Sequence, residues 1–136
     1  MLLEIVRYRS RAGYVPFDFY MEKYSFNPSD KKSIQDRKER IKEKILAIIN
    51  IVAEKGGANV GEYTAALKGY KIQEIRLTCN SRAVRILYFC HSGKLFLLNG
   101  FDKAIPYEGG KKKKTQSMIE EKYCEGQRYY EDFINN

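Results

Sequence analysis

The feature that most constrains this chain is a change of hydrophobic period at Gly56-Gly57. Ahead of the glycines, Ile34, Ile41, Ile45, Ile48, Ile49 and Val52 recur at helical spacing. Lys31, Lys32, Arg37, Lys38, Arg40, Lys42 and Lys44 interleave with acids on the other side, so this stretch reads as a long amphipathic helix. After them the period drops to 2. Residues 71–77, 83–90 and 94–101 are strand-length runs rich in Ile, Val, Tyr and Phe. They are separated only by Asn80-Ser81 and His91-Ser92-Gly93, connections too short for a crossover, so the three strands form an antiparallel meander. Leu95 to Leu98 is apolar on both faces, which places the third strand in the interior of the sheet.

The flanks complete the pattern. Leu2 to Tyr8 alternates apolar and charged positions and reads as a short strand ended by Gly13. Pro16 suits a first helical turn, and Phe17, Tyr20, Met21 and Tyr24 form one apolar helical face. Asn27-Pro28-Ser29 ends that helix and offers Ser29 or Asp30 as the N-cap of the long one. Beyond the meander, Pro106, Gly109 and Gly110 open a loop into Lys111–Lys114. Ser117 and Glu120 have the spacing of a capping box for a last helix carrying Ile119, Tyr123, Gly126, Tyr130 and Phe133 on one stripe. Gly126 should weaken that helix by about 1 kcal/mol relative to alanine. A chain of 136 residues, 43% of them hydrophobic, can bury a core of its own. The expectation is an α+β fold in one domain, residues 1–136. It comprises an N-terminal strand, a helical hairpin, a three-stranded antiparallel meander completing a small sheet, a lysine-rich loop at about 103–114, and a C-terminal helix.

Composition narrows the function. No apolar run approaches 18 residues and charges interrupt every apolar stretch near the start, which predicts a soluble, cytoplasmic chain without a membrane partner. Cys79, Cys90 and Cys124 lack CxxC spacing and His91 is the one histidine, so reduced thiols and no metal or cofactor are expected. The net charge of +8 is concentrated in residues 68–114, where 11 basic groups face Glu74, Asp102 and Glu108. A middle third that carries the whole net charge suits a phosphate-facing surface, although a solvated lysine face has the same composition. Strand parity adds a constraint. With Ile75 and Leu77 turned to the core, Glu74 and Arg76 share the other face, and Arg85 lies across from Arg76 in a favourable register. Lys71 sits at the start of its strand, and Lys103 leaves the end of the third. Arg76 and Arg85 are then either a solvent-facing cation pair or structural partners of Glu74 and the acidic last helix.

Five segments occur in a telling order: Leu67-Lys68-Gly69, Glu74-Ile75-Arg76-Leu77, Arg82 to Phe89, Leu97-Leu98-Asn99-Gly100-Phe101, and Lys113-Lys114-Thr115-Gln116. Together with the element order, they resemble the HigB-like, phage-associated branch of the RelE/ParE toxin superfamily. The chain departs from that pattern in two places. Residues 103–112 stand between the last strand and the Lys-Lys-Thr segment, and Asn99 stands where a histidine often precedes the glycine. The resemblance implies a toxin of a type II toxin-antitoxin pair. Its activity would be that of a metal-independent, ribosome-dependent mRNA endonuclease, with the ribosome, mRNA and a helix-turn-helix antitoxin as partners. It also implies Arg76 and Arg85 as phosphate-stabilising groups, with Lys103 or a lysine of the run 111–114 as base and Tyr129 or Tyr130 assisting. Lys68, Lys71, Arg82, Lys111, Lys112, Lys113 and Lys114 would contact RNA. Two other readings suit the same residues: a ParE-like topoisomerase inhibitor, and a phage accessory protein that binds nucleic acid without catalysis.

Overall fold

The computed structural model describes residues 2–103 and 112–136. A five-stranded mixed sheet has the order β1-β5-β4-β3-β2, formed by β1 (Glu4–Arg7), β2 (Thr64–Ala66), β3 (Gln73–Cys79), β4 (Arg82–His91) and β5 (Lys94–Lys103). Strands β3, β4 and β5 are the antiparallel meander, and β1 joins β5 in parallel. The tight turns hold left-handed backbone at Asn80 and Ser81 and at Ser92 and Gly93, as a two-residue hairpin connection requires. The apolar run of β5 is explained by its place between β1 and β4.

Helix α1 (Pro16–Met21) continues as a 3-10 turn to Tyr24, and α2 (Lys32–Glu54) follows. Both cover one face of the sheet, where Phe17, Tyr20, Ile41, Ile45, Ile49 and Val52 pack with Ile75, Val84, Ile86 and Tyr88. Helix α3 (Lys112–Ile134) covers the other face, burying Leu87, Phe89, Phe96, Leu98 and Ile119. The architecture is therefore α+β with apolar cores on both faces of one sheet. Among the described residues no helix is long and apolar enough to cross a membrane.

Several local expectations are corrected. The short strand β2 was unread, because three residues of Thr and Ala carry no usable period. The N-cap of α2 is Lys31, not Ser29 or Asp30. Asp30 instead pairs with Lys38 at 2.6 Å, nearly two turns into the helix. Ser117 does not cap α3, which begins five residues earlier at Lys112. A serine three residues before a glutamate also occurs inside helices, and the preceding lysines are good helix formers. Lys112, Lys113 and Lys114 of the lysine run therefore belong to the helix. Pro106, Gly109, Gly110 and Lys111 lie outside the described residues, and of Lys112, Lys113 and Lys114 only the helical backbone is described.

Gly126 is a packing requirement more than a weak point. A Cβ there would stand 2.9 Å from Asn99 Oδ1, 2.9 Å from Leu87 Cδ1 and 3.0 Å from Ile72 Cδ1. Its absence lets α3 lie close on the sheet. Asn99 reaches α3 because β5 carries one extra residue there. Ile86 faces Gly100 while Tyr88 faces Leu97, so Leu98 and Asn99 together oppose Leu87. Such a bulge changes side-chain parity along the rest of the strand.

Candidate functional site

Register places Arg76 directly across from Arg85, and Arg85 directly across from Phe101. One step further along the same face, Ala83 faces Lys103, so the bulge in β5 puts Lys103 on the face that carries both arginines. Arg76 and Arg85 are therefore neighbours on the α3 face, and Lys103 stands on that face two residues further along, across from Ala83.

The centre of the site is a carboxylate. Glu74 is 1% exposed, flanked on its own face by α3. Its Oε1 accepts a hydrogen bond from Arg76 Nε at 2.7 Å and lies 3.5 Å from Arg85 Nε. Its Oε2 accepts from the Tyr123 hydroxyl at 2.6 Å. A buried carboxylate must be paired, and here two guanidinium groups and a phenol do so. Burial pushes the Tyr123 hydroxyl above its ordinary range and the hydrogen bond to Glu74 adds to the shift, so the phenol keeps its proton. Burial also lowers the Arg85 guanidinium from its ordinary value, an effect that Glu74 opposes.

The two readings of the arginines therefore hold at once. They are structural partners of Glu74, and they also leave donors over. Arg85 is not solvent-facing as expected: its side chain is 16% exposed, against 48% for Arg76. Arg85 Nη1 donates to Val84 O at 3.0 Å. Among the described residues both Nη atoms of Arg76 and Nη2 of Arg85 have no protein partner. Two guanidinium charges against one carboxylate leave the cluster at +1. It opens on a groove of about 280 Å³ whose lining includes Arg76, Arg85, Lys44, Glu62, Tyr63 and Thr78.

The other expected contacts are placed elsewhere. Arg82 faces α1, where it lies 3.1 Å from Asp102, which also accepts from Tyr20 and Tyr24 and pairs with Lys23. Lys68 sits in the turn after β2, and Lys71 precedes β3, its backbone N–H bonded to Gln127. Lys71 is five residues, about 16 Å of extended chain, from Arg76. Tyr129 packs at a tilt against Tyr8 and Tyr130 meets Phe89 edge to face, so the tyrosine of α3 that enters the site is Tyr123. Sequence reading assigned Tyr123 to the core stripe, and nothing local distinguishes it. Asn99 is buried and donates to the Lys122 carbonyl at 3.1 Å, a tie between sheet and helix.

Fold and site define a class: a small α+β protein with a buried carboxylate that braces an arginine pair at the rim of its sheet. Residues 32–121 match the family described as phage derived protein Gp49-like (DUF891), and the chain belongs to that family. No curated protein and no solved structure matches the chain.

Proposed function

We propose that the protein is the toxin of a toxin-antitoxin pair of the RelE/ParE type and cleaves mRNA on the ribosome without a metal ion. The Gp49-like family is often associated with the toxins of toxin-antitoxin pairs. The observation that carries the chemical part is the pairing of Arg76 with Arg85 around buried Glu74. Cleavage by the 2′-hydroxyl of RNA builds negative charge on a pentavalent phosphorane, and fixed cations stabilise that charge most when they need not reorganise. Glu74 holds both guanidinium groups in place before substrate arrives, and their unused Nη donors match phosphate oxygens in a fork.

In this reading Arg76 and Arg85 bind the scissile phosphate. Lys103, on the same face, takes the proton of the attacking 2′-hydroxyl or delivers one to the 5′-oxygen. Tyr123 acts through Glu74 as a positioning residue. The antitoxin, ribosome and mRNA are the partners, and the cytoplasm is where they meet.

The test is induced expression without an antitoxin, with growth followed and mRNA 5′-ends mapped. Growth arrest with new ends inside translated frames is the expected result, and Arg76→Ala should remove both. Unimpaired growth with folded, soluble protein present would overturn the reading. Growth arrest with intact mRNA would instead favour a non-nucleolytic target such as a topoisomerase.

A further inference from the structure

The exposed side of α2 is joined to the arginine site, and neither the family nor the proposed chemistry accounts for it. Arg37, Arg40 and Lys44 stand at i, i+3 and i+7, so they form one stripe with steps of about 4.5 and 6 Å along the helix axis. All three are exposed, and among the described residues Arg37 and Arg40 take part in no ion pair. The stripe runs beside the β3–β4 turn, where a groove of about 540 Å³ is lined by Arg37, Arg40, Ser33, Asp36, Asn80 and Ser81. Two residues on, at Thr78, begins the groove that holds Arg76 and Arg85. Lys44 marks the junction, its Nζ donating to Thr78 O at 2.9 Å.

The floor of this path exists because β2 is short. It pairs only with Gln73 to Ile75, so from Arg76 to Cys79 the edge of β3 has no strand beside it among the described residues. The carboxylates along the path are three: Asp36, bound by Lys32 at 3.1 Å, Glu62 in the lining of the arginine groove, and Glu74, which braces the arginine pair. Against them stand Arg37, Arg40, Lys44, Arg76 and Arg85. Tyr63, half-buried and packed against the core under α2, also lines the arginine groove.

We propose that these adjoining grooves form one track for the backbone of single-stranded RNA, with Arg37 and Arg40 holding phosphates upstream or downstream of the one at Arg76 and Arg85. Cations that follow a backbone are a recurring way proteins hold single strands without reading sequence. The inference rests on the reading of the arginine pair as a phosphate site and names the path by which the strand reaches it.

The experiment uses the full chain made by cell-free synthesis and a fluorescent 12-nucleotide single-stranded RNA, with anisotropy titrations from 50 to 300 mM salt. Arg37→Ser with Arg40→Ser should weaken binding about tenfold at the lowest salt. It should also reduce the slope of log affinity against log salt by about 1.4, at about 0.7 per lost phosphate contact on a single strand. Lys31→Gln with Lys42→Gln removes the same charge from the N-cap and another face of α2 and should leave the slope unchanged. Circular dichroism melts should coincide for both doubles. An equal slope change in the two doubles, or none in either, overturns the track. If the Arg37/Arg40 double binds as wild type while Arg76→Ala still abolishes mRNA cleavage, the track is wrong and the nuclease reading stands. If the doubles differ as expected while the wild type cuts no mRNA in cells, the track stands and the nuclease reading falls.

Discussion

Glu74 decides what the two arginines can do, because removing its charge would leave two guanidinium groups facing each other across the β3–β4 pair. Glu74→Gln should therefore destabilise the fold by about 3 kcal/mol, the order found when one partner of a buried ion pair is removed, and should end cleavage as well. Arg76 and Arg85 should separate in the same measurements. Arg76 is half exposed but donates the 2.7 Å bond to buried Glu74, so Arg76→Ala should cost about 1 kcal/mol of stability while slowing cleavage by roughly 10²- to 10³-fold. Arg85→Ala should cost both, since it strips a nearly buried partner from a buried carboxylate. Urea denaturation and single-turnover cleavage of ribosome-bound mRNA give the two numbers for each variant. Equal stability losses for the two arginines would show that their different burial is irrelevant. Parity along residues 74–77 and 83–89 placed the two arginines on one face from sequence alone. The depth of Arg85 was not legible, because it depends on Tyr123, 49 residues from Glu74 and on a helix whose stripe gave it no mark among the core positions.

Elements tell the same story at longer range. Helix α2 was legible by its long unbroken period, and the meander by apolar strand-length runs bounded by the short turns at Asn80-Ser81 and His91-Ser92-Gly93. The short strand β2 was not, and neither was the start of α3, where a serine–glutamate spacing imitates a cap. The bulge at Leu98-Asn99 was likewise invisible, yet it aligns Lys103 with the arginines and keeps Asp102 on the α1 face. Two predictions follow from how helices meet β5 and β4. In Gly126→Ala the gain in helix propensity, about 1 kcal/mol, competes with a Cβ that three buried side chains would have to vacate together. Overpacking should win, with a net loss of roughly 1 to 2 kcal/mol in urea denaturation. A stabilised variant would mean that α3 can ride higher on the sheet.

The second concerns Asp102. Burial alone would raise its carboxyl, but the Tyr20 hydroxyl, the Lys23 ammonium and the Tyr24 hydroxyl outweigh it and hold the group below the usual carboxylate range. A carboxyl that is more acidic folded than unfolded contributes stability fully above its unfolded value near 3.9, and loses it as pH falls through the folded value. Asp102→Asn should thus lower stability at pH 7 and flatten the fall in melting temperature below about pH 4. An unchanged acid limb would show that the cluster does not anchor α1.

At the scale of the whole molecule, one sheet serves two cores, and the arginine site belongs to the side that α3 closes. The C-terminal half of that helix rests on an aromatic cluster in which Phe89 stacks on Phe96 at 4.9 Å and meets Tyr130 at 4.9 Å and Phe133 at 5.3 Å. Its middle brings Tyr123 to Glu74. Phe89→Ala, well along the sheet from the arginines, should cost about 3 to 5 kcal/mol and loosen α3 as a unit. Hydrogen exchange should then accelerate along α3 and at Glu74 and Arg85, and cleavage should fall although no site residue has changed. The amides of α2 should remain slow, because Ile41, Ile45, Ile49 and Val52 are packed in the other core. Equal acceleration in α2 and α3 would mean that the shared sheet fuses the two cores into one cooperative unit, and that the site can open only when the whole chain unfolds.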